Sequence, residues 1–122
     1  MSNNQIERDK RINAEVVRIK EILKDIPQNV LVLNKGLIDR AAFMRITLED
    51  YEKDIIENGS IELFSQSNKT APYERTRPVV KSYNAVNRNY QLIIRQLADL
   101  LPPEIDKEVT LQDMMRGLEK PN

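Results

Sequence analysis

Val30, Leu33, Leu37, Ala41, Met44, Leu48, Tyr51 and Ile55 recur at steps of three and four residues, the spacing that keeps apolar side chains in one stripe along an α-helix. The pattern predicts a single helix of roughly 30 residues, about 45 Å long at 1.5 Å per residue. An apolar stripe of that length is stable only when another surface covers it. Asn58-Gly59 supplies the stop, because glycine enters the left-handed backbone region without a steric penalty. Gly36 is an internal weak point, expected to mark either a bend or the close approach of another backbone.

Two further segments can cover the stripe. In "IERDKRINAEVVRIKEILKDIP", Ile12, Val16, Ile19 and Leu23 share one side of a helix that ends before Pro27, since the residue before a proline is pushed out of helical geometry. After Pro78, the residues Val79, Tyr83, Val86, Tyr90, Ile93 or Ile94, Leu97 and Leu100 or Leu101 form a second stripe, closed by Pro102-Pro103. Pro78 fits the first turn, where its missing amide hydrogen has no intrahelical partner to lose. Between these helices, Ser60 to Arg77 changes periodicity and reads as an extended arm or a weak hairpin. Near the end, Thr110 with Asp113 three residues on resembles a capping box, followed by a short helix with Leu111, Met114, Met115 and Leu118 on one side. The expected fold is therefore mainly α: long amphipathic helices packed as a helical hairpin or bundle, with an arm or small hairpin near 60–77, assembling through the helices. Residues 1–104 form the helical domain, and 105–122 form a short C-terminal docking helix and tail. Whether the long helices pair within one chain or across chains is left open by the stripes.

Composition removes whole classes of chemistry. A chain of 122 residues suffices for one core. Aromatic content of 5% without tryptophan argues against a β-sandwich or a stacking platform. With no Cys and no His, thiol nucleophiles, disulfides, imidazole bases and the usual zinc sites are excluded. The three glycines lie far apart, so no glycine-rich phosphate loop exists. Asp50, Asp54 and Glu57 share a helical face as a hydrolytic metal site requires, but without histidine they read as ordinary surface acids at a helix end. No metal, cofactor or catalytic role is expected. The start, "MSNNQIERDKR", has no apolar segment behind its bases and is not a signal peptide, and no run of eighteen apolar residues occurs. The expectation is a protein that is neither exported nor membrane-spanning.

The zero net charge conceals a strong asymmetry. From Lys69 to Arg95, six bases (Lys69, Arg75, Arg77, Lys81, Arg88, Arg95) stand against one acid, Glu74. From Thr47 to Glu62, six acids (Glu49, Asp50, Glu52, Asp54, Glu57, Glu62) stand against Lys53. Such stretches pair between subunits, or the basic one meets a phosphate backbone. Tyr83 and Tyr90, two turns apart on the apolar side, read as core residues rather than base-stacking ones. Arg75 and Arg77 flank a helix start, where they suit phosphate or a neighbour's acids equally.

A long helix ending in "ENGSIELFSQSNK", a polar arm, and the proline-started helix "RPVVKSYNAVNRNYQLIIRQLADLLPPE" together resemble bacteriophage terminase small subunits, of the helical group without an obvious N-terminal helix-turn-helix. The resemblance spans about Thr47 to Glu104, with "ADLLPP" where the group has a glycine-containing ending. It implies a non-catalytic DNA-packaging component in the cytoplasm of the bacterial host. Such a component forms a homo-oligomeric ring, binds double-stranded viral DNA and presents it to the terminase large subunit, which carries the ATPase and nuclease. On this resemblance Lys69, Arg75, Arg77, Lys81 and Arg88 are the expected DNA contacts. Arg8, Lys10, Arg11, Arg18 and Lys20 of the first helix form the competing surface. Leu111, Met114, Met115 and Leu118 are expected to dock on the large subunit. The alternative is a helical structural or regulatory phage adaptor that oligomerises without binding DNA.

Overall fold

The chain begins its first helix earlier than the apolar stripe suggests. In the computed structural model, which describes residues 2–116, α1 spans Asn3–Ile22. Ser2 Oγ accepts from the Gln5 amide at 3.2 Å, and Gln5 Oε1 accepts from the Ser2 amide at 3.3 Å. This capping box satisfies two amides that the first turn leaves without partners. The helix closes at Leu23, and a tight turn buries Ile26 before Pro27.

The expected 30-residue helix is divided in two, α2 (Gln28–Leu33) and α3 (Lys35–Asn58). The break falls at Asn34, whose side-chain amide donates to Val30 O at 2.8 Å while its backbone amide points to Val30 O and Leu31 O. An asparagine that competes for its own helix's carbonyls favours such an ending. Helix resumes at once, with the Leu37 and Ile38 amides donating to Asn34 O. The displaced register leaves Leu33 84% exposed, outside the stripe. Gly36 makes neither the bend nor a close approach: a Cβ there would meet only Arg40 Nη1, at 3.8 Å. At the far end Gly59 takes φ 80° and its amide donates to Ile55 O at 2.7 Å, as Asn58-Gly59 implies.

The 60–77 segment is a hairpin. Strands β1 (Ile61–Phe64) and β2 (Tyr73–Thr76) pair antiparallel, with Ile61 opposite Thr76 and Phe64 opposite Tyr73. A bond from the Arg77 amide to Ser60 O at 2.8 Å closes its base. Helix α4 (Pro78–Ala98) then starts with Pro78 in the first turn. The last helix, α5 (Lys107–Arg116), starts four residues before the position that a cap at Thr110 implies. Asp106 is the cap, its Oδ1 accepting from the Glu108 and Val109 amides at 3.0 and 3.4 Å. Thr110 lies inside the helix, buried, with its hydroxyl donating to Asp106 O.

One core joins all of these helices. Helix α3 lies between α1 and α4, and α5 packs on α4 and α1. Ile19, Leu23, Ile38, Ala41, Ala42, Ile94 and Leu97 are its fully covered centre. Leu111 and Met114, expected on an outward docking patch, belong to this same core, with Met115 partly buried against it. Helix α5 is therefore not a separate docking unit. Leu118 lies outside the described residues. Among those residues no helix is long and apolar enough to cross a membrane.

Two arginines hold α5 in place. The final turn of a helix leaves carbonyls without intrahelical donors. Arg18 donates to Asp113 O and Met114 O at 2.9 and 2.7 Å, and Arg45 donates to Met115 O at 2.6 Å. Arg18 also grips buried Glu15 with two bonds of 2.6 and 2.7 Å. The Tyr90 hydroxyl lies 3.5 Å from Met114 O. Burial pushes this phenol's pKa up against the opposing pull of Arg45. Every buried side-chain nitrogen and oxygen among the described residues has a partner, as a low-dielectric core demands.

Candidate nucleic-acid interface

Of the basic residues singled out in the sequence, those of α1 are largely committed within the chain. Arg8 pairs with Asp50 and donates to Thr47 Oγ1 at 2.6 Å. Arg11 reaches Asp50 at 2.6 Å and Glu49 at 3.2 Å. The Asp50 hydrogen bond, opposed by burial, raises the pKa of the Arg11 guanidinium. Arg18 is partly buried against the buried Glu15, and Lys10 stands 3.6 Å from Glu7 at the surface. Lys20 is exposed without an ion pair among the described residues. The acidic stretch of α3 is thus met in part by α1 of the same chain, and the expected surface on the first helix is mostly consumed.

Arg75 and Arg77 serve the hairpin. Arg75 bonds Glu62, its cross-strand neighbour, at 2.7 Å and lies 3.5 Å above the Phe64 ring, whose edge-to-face contact with Tyr73 has a centroid spacing of 6.0 Å. Cation, carboxylate and ring together lock one face of the ribbon. Arg77 is only 18% exposed. It donates to both Asp54 oxygens at 2.9 and 3.1 Å and to Gly59 O at 2.7 Å, stapling the start of α4 to the end of α3. Hydrogen bonds from Asn58 and then Arg77 hold the Asp54 carboxyl below the usual carboxylate range. With Asp50 and Asp54 both engaged by arginines and Glu57 exposed, the three carboxylates do not converge, and no metal-binding group occurs among the described residues.

What remains is a different arrangement from the one expected. Lys81 and Arg88 are exposed on α4 and form no ion pair among the described residues. Arg95, which the sequence reading counted among the bases but did not place in the site, completes the row. The three follow at seven-residue intervals, two helical turns and about 10.5 Å apart. They lie opposite the buried positions Tyr90, Ile94 and Leu97. From Pro78 to Ala98 the helix contains no Asp or Glu, so nothing on it offsets the row. At the hairpin tip Lys69 is also exposed, on a loop built by Ser65 Oγ bonds to Ser67 O and Thr70 O and by the Lys69 amide reaching Ser67 Oγ.

Tyr83 and Tyr90 occupy the inward side, as their spacing indicated. Tyr90 is buried, and the Tyr83 hydroxyl donates to Glu52 at 2.7 Å. That bond, followed by partial burial, raises the Tyr83 pKa. The outward side carries Lys81, Arg88 and Arg95 together with Ser82, Ala85, Asn89, Leu92 and Gln96, all exposed, whereas Gln91 borders a cavity with Arg45, Glu52, Tyr90 and Met115. Arg95 was legible in advance from its seven-residue step beyond Arg88. Comparison with protein-family models, with curated proteins and with solved structures finds no match for this chain.

Proposed function

We propose that this chain is a non-catalytic adaptor that binds duplex DNA along the outward face of α4. It acts as the resemblance to terminase small subunits implies, by oligomerising, holding viral DNA and presenting it to a large subunit that carries the ATPase and nuclease. The observation that carries this reading is the acid-free row of Lys81, Arg88 and Arg95, exposed and without internal ion pairs. Like charges at two-turn intervals disfavour pairing of this face with its copy and favour a regularly charged anionic polymer. Arg75 and Arg77 pass from direct contacts to supports of the hairpin, and Lys69 at its tip remains a contact.

A fluorescence-anisotropy titration with a labelled duplex, repeated across salt concentrations, tests this. Loss of three phosphate contacts in the Lys81→Ala/Arg88→Ala/Arg95→Ala variant is expected to flatten the slope of log K against log salt by about 2.7. An unchanged slope, or no binding by the parent chain at low salt, contradicts the proposal. The reading as a structural adaptor without DNA affinity draws on a separate observation. Leu33, Ile56 and Leu63 are 84%, 83% and 74% exposed, and light scattering without DNA reports whether they join copies.

A further inference from the structure

Two cavities differ in the charge of their walls. One, of about 240 Å³, lies where α3, α4 and α5 meet and brings Glu52 together with Arg45, which is already spent on Glu49 and Met115 O. Its walls select neither sign of charge. The other, of about 260 Å³, lies where the end of α1 meets α2 and the start of α3, and is lined by Lys20, Lys24, Gln28, Leu31, Val32 and Lys35. Three cations line it, and no carboxylate among the described residues does. Helical spacing gathers this set, because Lys20 and Lys24 are one turn apart and Gln28 stands three and four residues before Leu31 and Val32. The break at Asn34 then sets Lys35, the first residue of α3, beside them.

The cavity combines an apolar floor with a cationic rim. Leu31 is buried, Val32 is 62% exposed, and lysine stems extend such apolar surface while their ammonium heads stay in water. Lys20 has no ion pair among the described residues. Lys24 and Lys35 reach Glu21 at 3.5 Å and Asp39 at 2.6 Å, but both pairs are exposed, so water screens them and a better-placed anion can replace them. A phosphate backbone needs the cations alone and leaves the floor unused. An apolar cavity of about 150 Å³ is enough to hold benzene, so this one suits a ring or a short chain with a charged head. We propose that it binds a small amphipathic carboxylate, the apolar body on Leu31 and Val32 and the carboxylate among the ammonium groups of Lys20, Lys24 and Lys35. The Gln28 carboxamide, which makes no hydrogen bond among the described residues, donates to the head from the same wall. This site lies on other elements than the α4 row and stands whether or not α4 binds DNA.

The test is an NMR titration of the methyl-labelled full chain with octanoate. In parallel, 1-octanol supplies the same body without the charge, and inorganic phosphate supplies charge without the body. Octanoate is expected to shift the Leu31 and Val32 methyls saturably with a Kd below about 1 mM, as a ligand of about ten heavy atoms allows. Octanol is expected to bind at least about threefold more weakly, and phosphate not to shift these methyls. Lys20→Ala/Lys24→Ala, at two exposed positions, is expected to weaken octanoate at least about threefold and to leave octanol and the Tm of the unliganded chain unchanged. No saturable shift, equal binding of octanol and octanoate, phosphate binding as tightly as octanoate, or an unchanged affinity in the double variant would each overturn the proposal. Shifts centred on Tyr90 and Met115 would overturn it in favour of the other cavity. Shifts of the same methyls by an acidic leucine-containing peptide but not by octanoate would overturn it in favour of a protein partner.

Discussion

The first helix and the fourth are both rich in bases, and the structure uses them in opposite ways. Along α1, Arg8 and Arg11 lie against Thr47, Glu49 and Asp50 of α3, and Arg18 holds Glu15 and the end of α5. Along α4, Lys81, Arg88 and Arg95 face outward with no ion pair among the described residues. The lesson is that a count of charge along the chain does not locate a binding surface. What decides is whether a carboxylate lies across the helix interface, and such a partner stands about forty residues away for Arg8 and Arg11.

The largest expected effect comes from breaking the buried side of this contrast. Glu15→Ala removes the buried carboxylate and leaves the largely covered Arg18 without it. Removing one partner of a buried pair typically costs about 3–5 kcal/mol, a fall in Tm of roughly 10–20 °C that calorimetry detects. Met114→Ala empties the position that ties α5 to the core and is expected to cost about 2–5 kcal/mol, read from urea unfolding. If α5 were instead a loosely held docking element, the midpoint would barely move.

Loosening the hairpin is the intermediate case. Arg77→Ala removes the staple to Asp54 and Gly59, so amide exchange at Ile61–Phe64 and Tyr73–Thr76 accelerates while α3 and α4 remain protected. Acidification produces the same loosening. The Asp54 carboxyl is held below its ordinary range, so its stabilising contribution is present above the unfolded-state pKa and is lost as pH falls through the lower folded value. Hydrogen exchange followed from neutral to acidic pH checks the sign, because protection that increased on acidification would contradict it.

The smallest expected change in stability lies on α4. Lys81→Ala, Arg88→Ala and Arg95→Ala each shift unfolding by no more than about 0.5 kcal/mol, as exposed substitutions usually do. A larger loss in chemical denaturation would mean that the row has a structural task, and the contrast with α1 would then dissolve.

How much of this was legible in the sequence depended on how local the cause was. Pro78 at a helix start, Gly59 at a helix end and the inward side of α4 are set by backbone rules and periodicity, and the structure agrees with each. The capping box of Ser2 and Gln5 is equally local, yet it lies well before Ile12, where the apolar stripe begins. Asn34 defeated the 30-residue helix because apolar spacing says nothing about a side chain that takes a carbonyl from its own backbone. Leu111 and Met114 were read correctly as apolar and one-sided, yet the same pattern suits a partner's groove and this chain's own core. In the candidate site, the seven-residue steps to Arg95 were visible. The commitments of Arg75 to Glu62 and Arg77 to Asp54 arise only when the hairpin folds back on itself and on α3.

The most direct test of the account is an NMR titration of the labelled chain with duplex DNA, following backbone and side-chain resonances residue by residue. The account predicts the largest shifts at Lys81, Arg88 and Arg95, with the guanidinium signals of Arg8, Arg11, Arg18 and Arg77 unmoved. Shifts concentrated on α1 or the hairpin arginines, with the outward face of α4 silent, would contradict it.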